Sequence, residues 1–209
     1  MRKLLVLASL FAVWSGSLCA STITIDAEVL RDAGGAPMPL TGLVILTAGS
    51  TGTFTGPTVG NFASGDEVIV SKWDLSGGFA TPGVFSDIVT NVNPSGAWGQ
   101  GDPLRLYWYP TLTLSSIGPA AGTYYGTYTD SVGINGSAQW VTPGPGDTIS
   151  LKFFTSDASF LSSGGQAAST AGAALFQVQE VPEPGSAILG LWAAGMFGVL
   201  RRRRFSSVR

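Results

Sequence analysis

The chain has 209 residues, of which 44% are hydrophobic and only 11% charged, with no histidine and one cysteine. That length suits one medium domain with processing segments, and the lack of histidine excludes both a serine triad of the usual type and imidazole-ligated zinc. The formal charge of −2 conceals an asymmetry: residues 21–180 hold four cations and twelve anions, a balance of −8, which argues against nucleic acid or another polyanion as a partner held by charge.

The first twenty residues, MRKLLVLASLFAVWSGSLCA, place Arg2 and Lys3 before an apolar run at 4–14 and then small residues. This is the pattern of a secretory signal peptide cut after Ala20, with the Sec machinery and signal peptidase as partners. The run is shorter than the roughly 20 apolar residues of a spanning helix. Cys19 falls inside the discarded peptide, so the exported body, residues 21–180, has neither a disulfide nor a thiol.

From Ser21 onward, short runs rich in Val, Ile, Thr and aromatics are broken by Gly, Pro, Asn or Asp every ten or so residues, as in an all-β protein. The expected fold is an antiparallel β-sandwich, jelly-roll-like, forming an ectodomain. STITIDAEV alternates Ile23, Ile25 and Ala27 against Thr22, Thr24 and Asp26, as a half-buried strand should. TGLVILTA is continuously apolar and reads as a central strand.

Three later segments, GDEVIVSKW, GDPLRLYWY and GDTISLKFF, each open on a Gly-Asp turn and run into a strand with one cation in it. In the second, Leu104, Leu106 and Trp108 share one face while Arg105, Tyr107 and Tyr109 share the other. In the third, Ile149, Leu151 and Phe153 oppose Ser150, Lys152 and Phe154. Three of the body's four cations therefore stand mid-strand, which fits either a repeated turn-strand unit or partly covered strands whose cationic heads snorkel to solvent; Gly-Asp is a common turn dipeptide, so chance similarity is the favoured reading and no repeat architecture is claimed. Little reads as helix; residues 163–176 are expected to be a loop leading into a last strand, GAALFQVQ.

Candidate chemistry is sparse, and no metal or cofactor is expected. Asp66, Glu67, Asp74, Asp87 and Asp102 could in principle supply a glycosidase's two carboxylates, but nearly all stand beside Gly or Pro or at run ends, as turn-forming acids do. The body is therefore expected not to be an enzyme. Trp98, Trp108, Tyr107 and Tyr109 are candidates for a flat platform that stacks sugar rings, with exopolysaccharide as the partner. The same residue types also fill β cores. Trp98, in PSGAWGQGD, is the one expected to be exposed.

The chain closes with VPEPGSAILGLWAAGMFGVLRRRRFSSVR, residues 181–209. Pro182 and Pro184 bias Val181 and Glu183 towards extended backbone, which a processing enzyme can grip. Residues 187–200 are all apolar or glycine; with Gly185 and Ser186 they make a helix of about 24 Å at about 1.5 Å per residue. This is somewhat short of a hydrocarbon core of about 30 Å, a mismatch that snorkelling and bilayer thinning absorb. A single transmembrane helix is thus expected at about 185–200. Arg201, Arg202, Arg203 and Arg204 would stay on the cytoplasmic side of the inner membrane as a topological anchor.

A signal peptide, an exported body, Val181-Pro182-Glu183-Pro184, a short apolar helix and an arginine cluster, in that order, resemble the PEP-CTERM class of sorted bacterial proteins. The resemblance beyond the signal peptide covers only 181–209. It implies that an exosortase, a membrane transpeptidase with its own catalytic cysteine, recognises Pro182-Glu183-Pro184 and cuts at or near it. The body would then pass from a transient inner-membrane intermediate to the cell surface or extracellular matrix of a Gram-negative bacterium.

Overall fold

A computed structural model describes residues 20–77, 81–92 and 98–180. Among these residues eight strands and one short α-helix follow one another: β1 (Ser21–Ala27), β2 (Leu43–Gly49), β3 (Glu67–Asp74), β4 (Phe85–Val92), β5 (Leu104–Tyr109), β6 (Tyr124–Tyr128), β7 (Thr148–Phe153), α1 (Ala158–Ser163) and β8 (Phe176–Gln177). The protein is mostly β, as the sequence pattern requires.

The strands form two sheets, one of three strands in the order β4-β1-β7 and one of five in the order β3-β2-β5-β6-β8. The alternation in β1 holds without exception: Ser21, Ile23, Ile25 and Ala27 are buried, and the residues between them are half-buried. β2 is buried along its whole length, because its continuous apolar run occupies an interior position between β3 and β5.

The five-stranded sheet is antiparallel throughout. β1 and β7, however, run parallel, with Thr22 opposite Thr148 and Ala27 opposite Phe153. This departs from the expected all-antiparallel, jelly-roll-like arrangement, which distributes its eight strands over two antiparallel sheets. Parallel neighbours need a long crossover between them, and here the connection runs through β2 to β6, that is, four strands of the five-stranded sheet and β4.

One core joins the two sheets. Ile23, Ile25 and Ala27 of β1 and Leu151 and Phe153 of β7 meet Val44, Leu46 and Ala48 of β2 and Leu104, Leu106 and Trp108 of β5. Aromatic rings bridge the layers: Phe153 stacks on Tyr128 with centroids 3.9 Å apart and lies 5.9 Å from Trp108, and Trp140 meets Tyr128 edge-on at 5.1 Å. These large rings bury the apolar area that must stabilise a body without disulfides.

The three Gly-Asp turns share one backbone device. Gly65, Gly101 and Gly146 all take positive φ, at 68°, 84° and 81°, a region that glycine enters without steric cost. Each turn feeds its strand from that conformation.

The end of the body departs from the sequence reading in two places. Residues 158–163 form a helix, N-capped by the Asp157 carboxylate, which accepts from the Ser159 N–H at 2.8 Å. Phe160 and Leu161 on it are buried. The last strand, in turn, is only two residues long, Phe176–Gln177.

Packing at Gly126 gives a test of the core. A Cβ there would overlap the indole of Trp108 on the neighbouring strand, and Trp108 is fully buried. Gly126→Ala should lower stability by about 1–3 kcal/mol through overpacking, read as a lower urea midpoint with an unchanged slope. An unchanged midpoint would show that the two strands separate readily at this point.

Candidate functional site

Two regions of the molecule bear on function: the outer face of the five-stranded sheet, where the candidate aromatics sit, and the edge from which the chain leaves the fold. On the outer face, Tyr107 and Tyr109 of β5 join Leu43, Ile45 and Phe62 in a second buried cluster, with Tyr125 and Leu112 against it. The face is covered by the β2–β3 connection, residues 50–66. Phe54 from this flap lies under the Arg105 guanidinium, 4.1 Å from ring centroid to Cζ. Phe62 meets Tyr109 edge-on at 5.4 Å and carries Lys72 Nζ 4.2 Å above its centroid.

A carboxylate organises the contact between flap and sheet. Glu67, the first residue of β3, is buried. Its Oε2 accepts from the Tyr107 hydroxyl at 3.0 Å and the Thr47 hydroxyl at 3.2 Å, while Oε1 accepts from the Gly56 N–H at 2.7 Å. Asp66, one residue earlier, stays on the surface and accepts from the Thr51 N–H and the Ser50 hydroxyl. These hydrogen bonds hold Asp66 below the ordinary carboxylate range. Burial, and then the Glu67 charge, push the Tyr107 phenol well above its ordinary value; burial does the same to Tyr109.

This geometry corrects the reading of the aromatics. Trp108 is fully buried between the sheets, and Tyr107 and Tyr109 are buried beneath the flap, so none of the three presents a ring to an external sugar. Trp98, expected to be exposed, is partly buried against the main core. Of the strand cations, Lys72 and Arg105 lie over the flap's aromatic rings, and Arg105 Nε is buried without a hydrogen-bond partner.

Among the described residues no group of three or more acids or other ligands is placed to hold a metal ion. The carboxylates are committed to local structure instead. Asp102 accepts from the Gly99 N–H at 2.6 Å, Asp74 from the Ser76 N–H at 3.1 Å, and Glu28 from the Ser156 N–H at 2.8 Å.

At the other region, β8 pairs with β6, Tyr124 opposite Gln177 and Tyr125 opposite Phe176. Val178 closes the pairing: its N–H donates to the Thr123 carbonyl at 3.0 Å and its carbonyl accepts from the Gly122 N–H at 2.9 Å. Val178 is buried, whereas Gln179 and Glu180 are exposed. The fold thus releases the chain two residues before residue 181. A family model described as the PEP-CTERM protein-sorting motif matches residues 180–204.

The chain carries a PEP-CTERM sorting motif. The match begins at the exposed Glu180, includes Val181, Pro182, Glu183 and Pro184, and ends at Arg204. These motif residues, the apolar run at 185–200 and the arginines at 201–204 lie outside the described residues, as does the expected signal peptide up to residue 19. No helix among the described residues is long and apolar enough to cross a membrane. No curated protein and no solved structure matches the chain.

Two measurements test the covered face. Glu67→Ala would leave the Tyr107 hydroxyl, the Thr47 hydroxyl and the Gly56 N–H without their acceptor, at a cost of roughly 2–3 kcal/mol. The loss should appear as a lower unfolding midpoint, with faster proteolysis within 50–66 and a smaller effect in Glu67→Gln. The buried phenols give a pH dependence whose sign is fixed. Their folded values lie above the unfolded value of about 10, so the folded state holds protons that the unfolded state loses. Their contribution is whole below about pH 10 and is lost as pH rises beyond it. Urea midpoints flat from neutrality to about pH 9 and falling above about pH 10 are expected; a midpoint that stays flat there would show that these phenols ionise as readily in the folded protein as in the unfolded one.

Proposed function

We propose that this chain is an exported, non-enzymatic envelope protein that an exosortase processes at its C-terminal motif. After removal of the signal peptide, residues 185–200 hold the chain in the inner membrane with Arg201, Arg202, Arg203 and Arg204 on the cytoplasmic side. Cleavage at or near Pro182-Glu183-Pro184 then releases the body, residues 21 to about 180, to the cell surface or extracellular matrix.

The observation that carries this reading is the match to the sorting motif at the point where the fold lets go of the chain. Among the described residues Val178 is the last held by backbone hydrogen bonds, to Thr123 and Gly122 just before β6, and the motif match opens at Glu180. The sequence bias of Pro182 and Pro184 towards extended backbone therefore lies just beyond an exposed exit. The non-enzymatic reading is supported by what the acids do: the carboxylates of Asp66, Asp74, Asp102 and Asp157 hold turns and a helix cap, and Glu67 holds the flap. The reactive cysteine belongs to the partner.

Replacing Pro182, Glu183 and Pro184 together by alanine should leave the unprocessed chain in the inner-membrane fraction of the native host, with the surface form lost. Unchanged release of the body would contradict processing at this motif.

A further inference from the structure

The pairing of β8 decides which end of the body faces the tail. Because β6 and β8 are antiparallel with Tyr124 opposite Gln177, the start of β6 and the exit of the chain lie at the same end of the five-stranded sheet. The β5–β6 connection, residues 110–123, belongs to that end. The flap 50–66 begins at the opposite end, but it crosses the outer face and brings its tip back. Gly60 N–H donates to the Pro119 carbonyl at 2.8 Å, and Gly118 lies so close to the Gly60 backbone that a Cβ would overlap it.

The two loops carry apolar side chains into solvent. Ile117 is 95% exposed, Leu114 48% and Val59 44%, and Tyr124 at the start of β6 is 42% exposed. Neither 53–63 nor 110–123 contains an ionisable side chain, although the body carries a balance of −8. The charged residues at this end lie outside these two loops: Asp74 at the end of β3, Glu28, Arg31 and Asp32 in the β1–β2 connection, and Glu180 two residues past Val178. What remains is an uncharged, apolar corner of an acidic molecule.

We infer that this corner rests on the lipid surface while the tail still tethers the body. The inference depends on the reading of 185–200 as the membrane segment. From Val178 to Gly185 there are seven residue steps, which reach about 23 Å when fully extended at about 3.3 Å each. A body of 160 residues is roughly 40 Å across. The tether is shorter than the body, so the exit end faces the bilayer. There the anionic headgroups repel acidic surface, while exposed isoleucine and leucine gain by entering the interface. The corner formed by Val59, Leu114 and Ile117 meets both demands.

The test uses the full chain with Cys19→Ser, isolated from a host without exosortase and reconstituted into phosphatidylethanolamine–phosphatidylglycerol vesicles that contain a doxyl-labelled lipid. An environment-sensitive fluorophore is placed by Ile117→Cys at the corner. A control is placed by Val132→Cys, 66% exposed in the connection that leaves the far end of β6. Both sites are on the surface, so neither label disturbs the core. With vesicles floated and protein bound, emission at 117 should be blue-shifted and quenched by the doxyl lipid, and emission at 132 should be unchanged. Leu114→Asp with the label at 117 should weaken the quenching without releasing the protein. Equal quenching at both sites, or none at 117 in protein that floats, would overturn the lipid contact and leave the anchor standing. A blue shift at 117 without quenching would mean that a protein surface covers the corner, and would also overturn it. Failure to float would overturn the anchor and the corner contact together.

Discussion

Glu67 holds the flap that makes a double-sided sheet possible. A five-stranded sheet with Leu43, Ile45, Tyr107 and Tyr109 on its outer face must be covered there as well as on its core face, and no second helix layer is present among the described residues to do it. The β2–β3 connection takes that place, and its backbone is held to the sheet by the Gly56 N–H bond to the Glu67 carboxylate. A buried carboxylate is costly unless its lone pairs are used. Three donors from the flap, β2 and β5 use them. The flap's tip then meets the β5–β6 connection at Pro119, that connection leads into β6, and β6 holds β8. The position at which the chain leaves the body is therefore linked, step by step, to one acid on the sheet.

The same chain of contacts holds the last described strand in place. β8 is only two residues long, yet Val178 is buried and bonded on both sides of its peptide. Phe176, half exposed, stacks on Tyr125 at 5.6 Å, and Tyr125 packs in turn on Tyr107 and Tyr109. The ordered edge thus ends within two residues of the sorting motif. On the proposed reading, the motif that a processing enzyme would grip follows directly on this edge. Stability comes from ring packing between the sheets rather than from crosslinks, since residues 21–180 contain no cysteine.

Much of this was legible in the residues. The strict alternation of STITIDA and the continuous apolar run of LVILTAG reported a strand with one buried face and an interior strand, because side-chain period translates directly into burial. The two faces of β5 were also visible: Leu104, Leu106 and Trp108 entered one core and Tyr107 and Tyr109 another. What periodicity could not show is that the second face is covered, since the cover is a loop distant in sequence. β3 was obscured further by an irregularity opposite Leu46 and Thr47. A period of two would put Glu67 and Trp73 together, but the shifted register sends Glu67 to the outer face and Trp73 to the main core. The six-residue helix was missed because its signal, Asp157 as a cap, is one residue long and its sequence, ASFLSS, has no helical period to recognise. The sorting tail was the most legible part of all, because its signal lies in the order of segments and needs no tertiary information.

An acidic, crosslink-free β body and a basic, apolar tail have opposite physical requirements, and the junction between them is where function concentrates. On the proposed reading the body needs water and the tail needs lipid, and cutting between them would release the body to the surface. Mass spectrometry of the intact surface form from the native host measures that step directly. A C-terminus at or near Pro182-Glu183-Pro184, with residues 187–200 and all four arginines gone, is the expected result. A surface form that still carries Arg201, Arg202, Arg203 and Arg204 would contradict exosortase processing and leave a permanently anchored protein in its place.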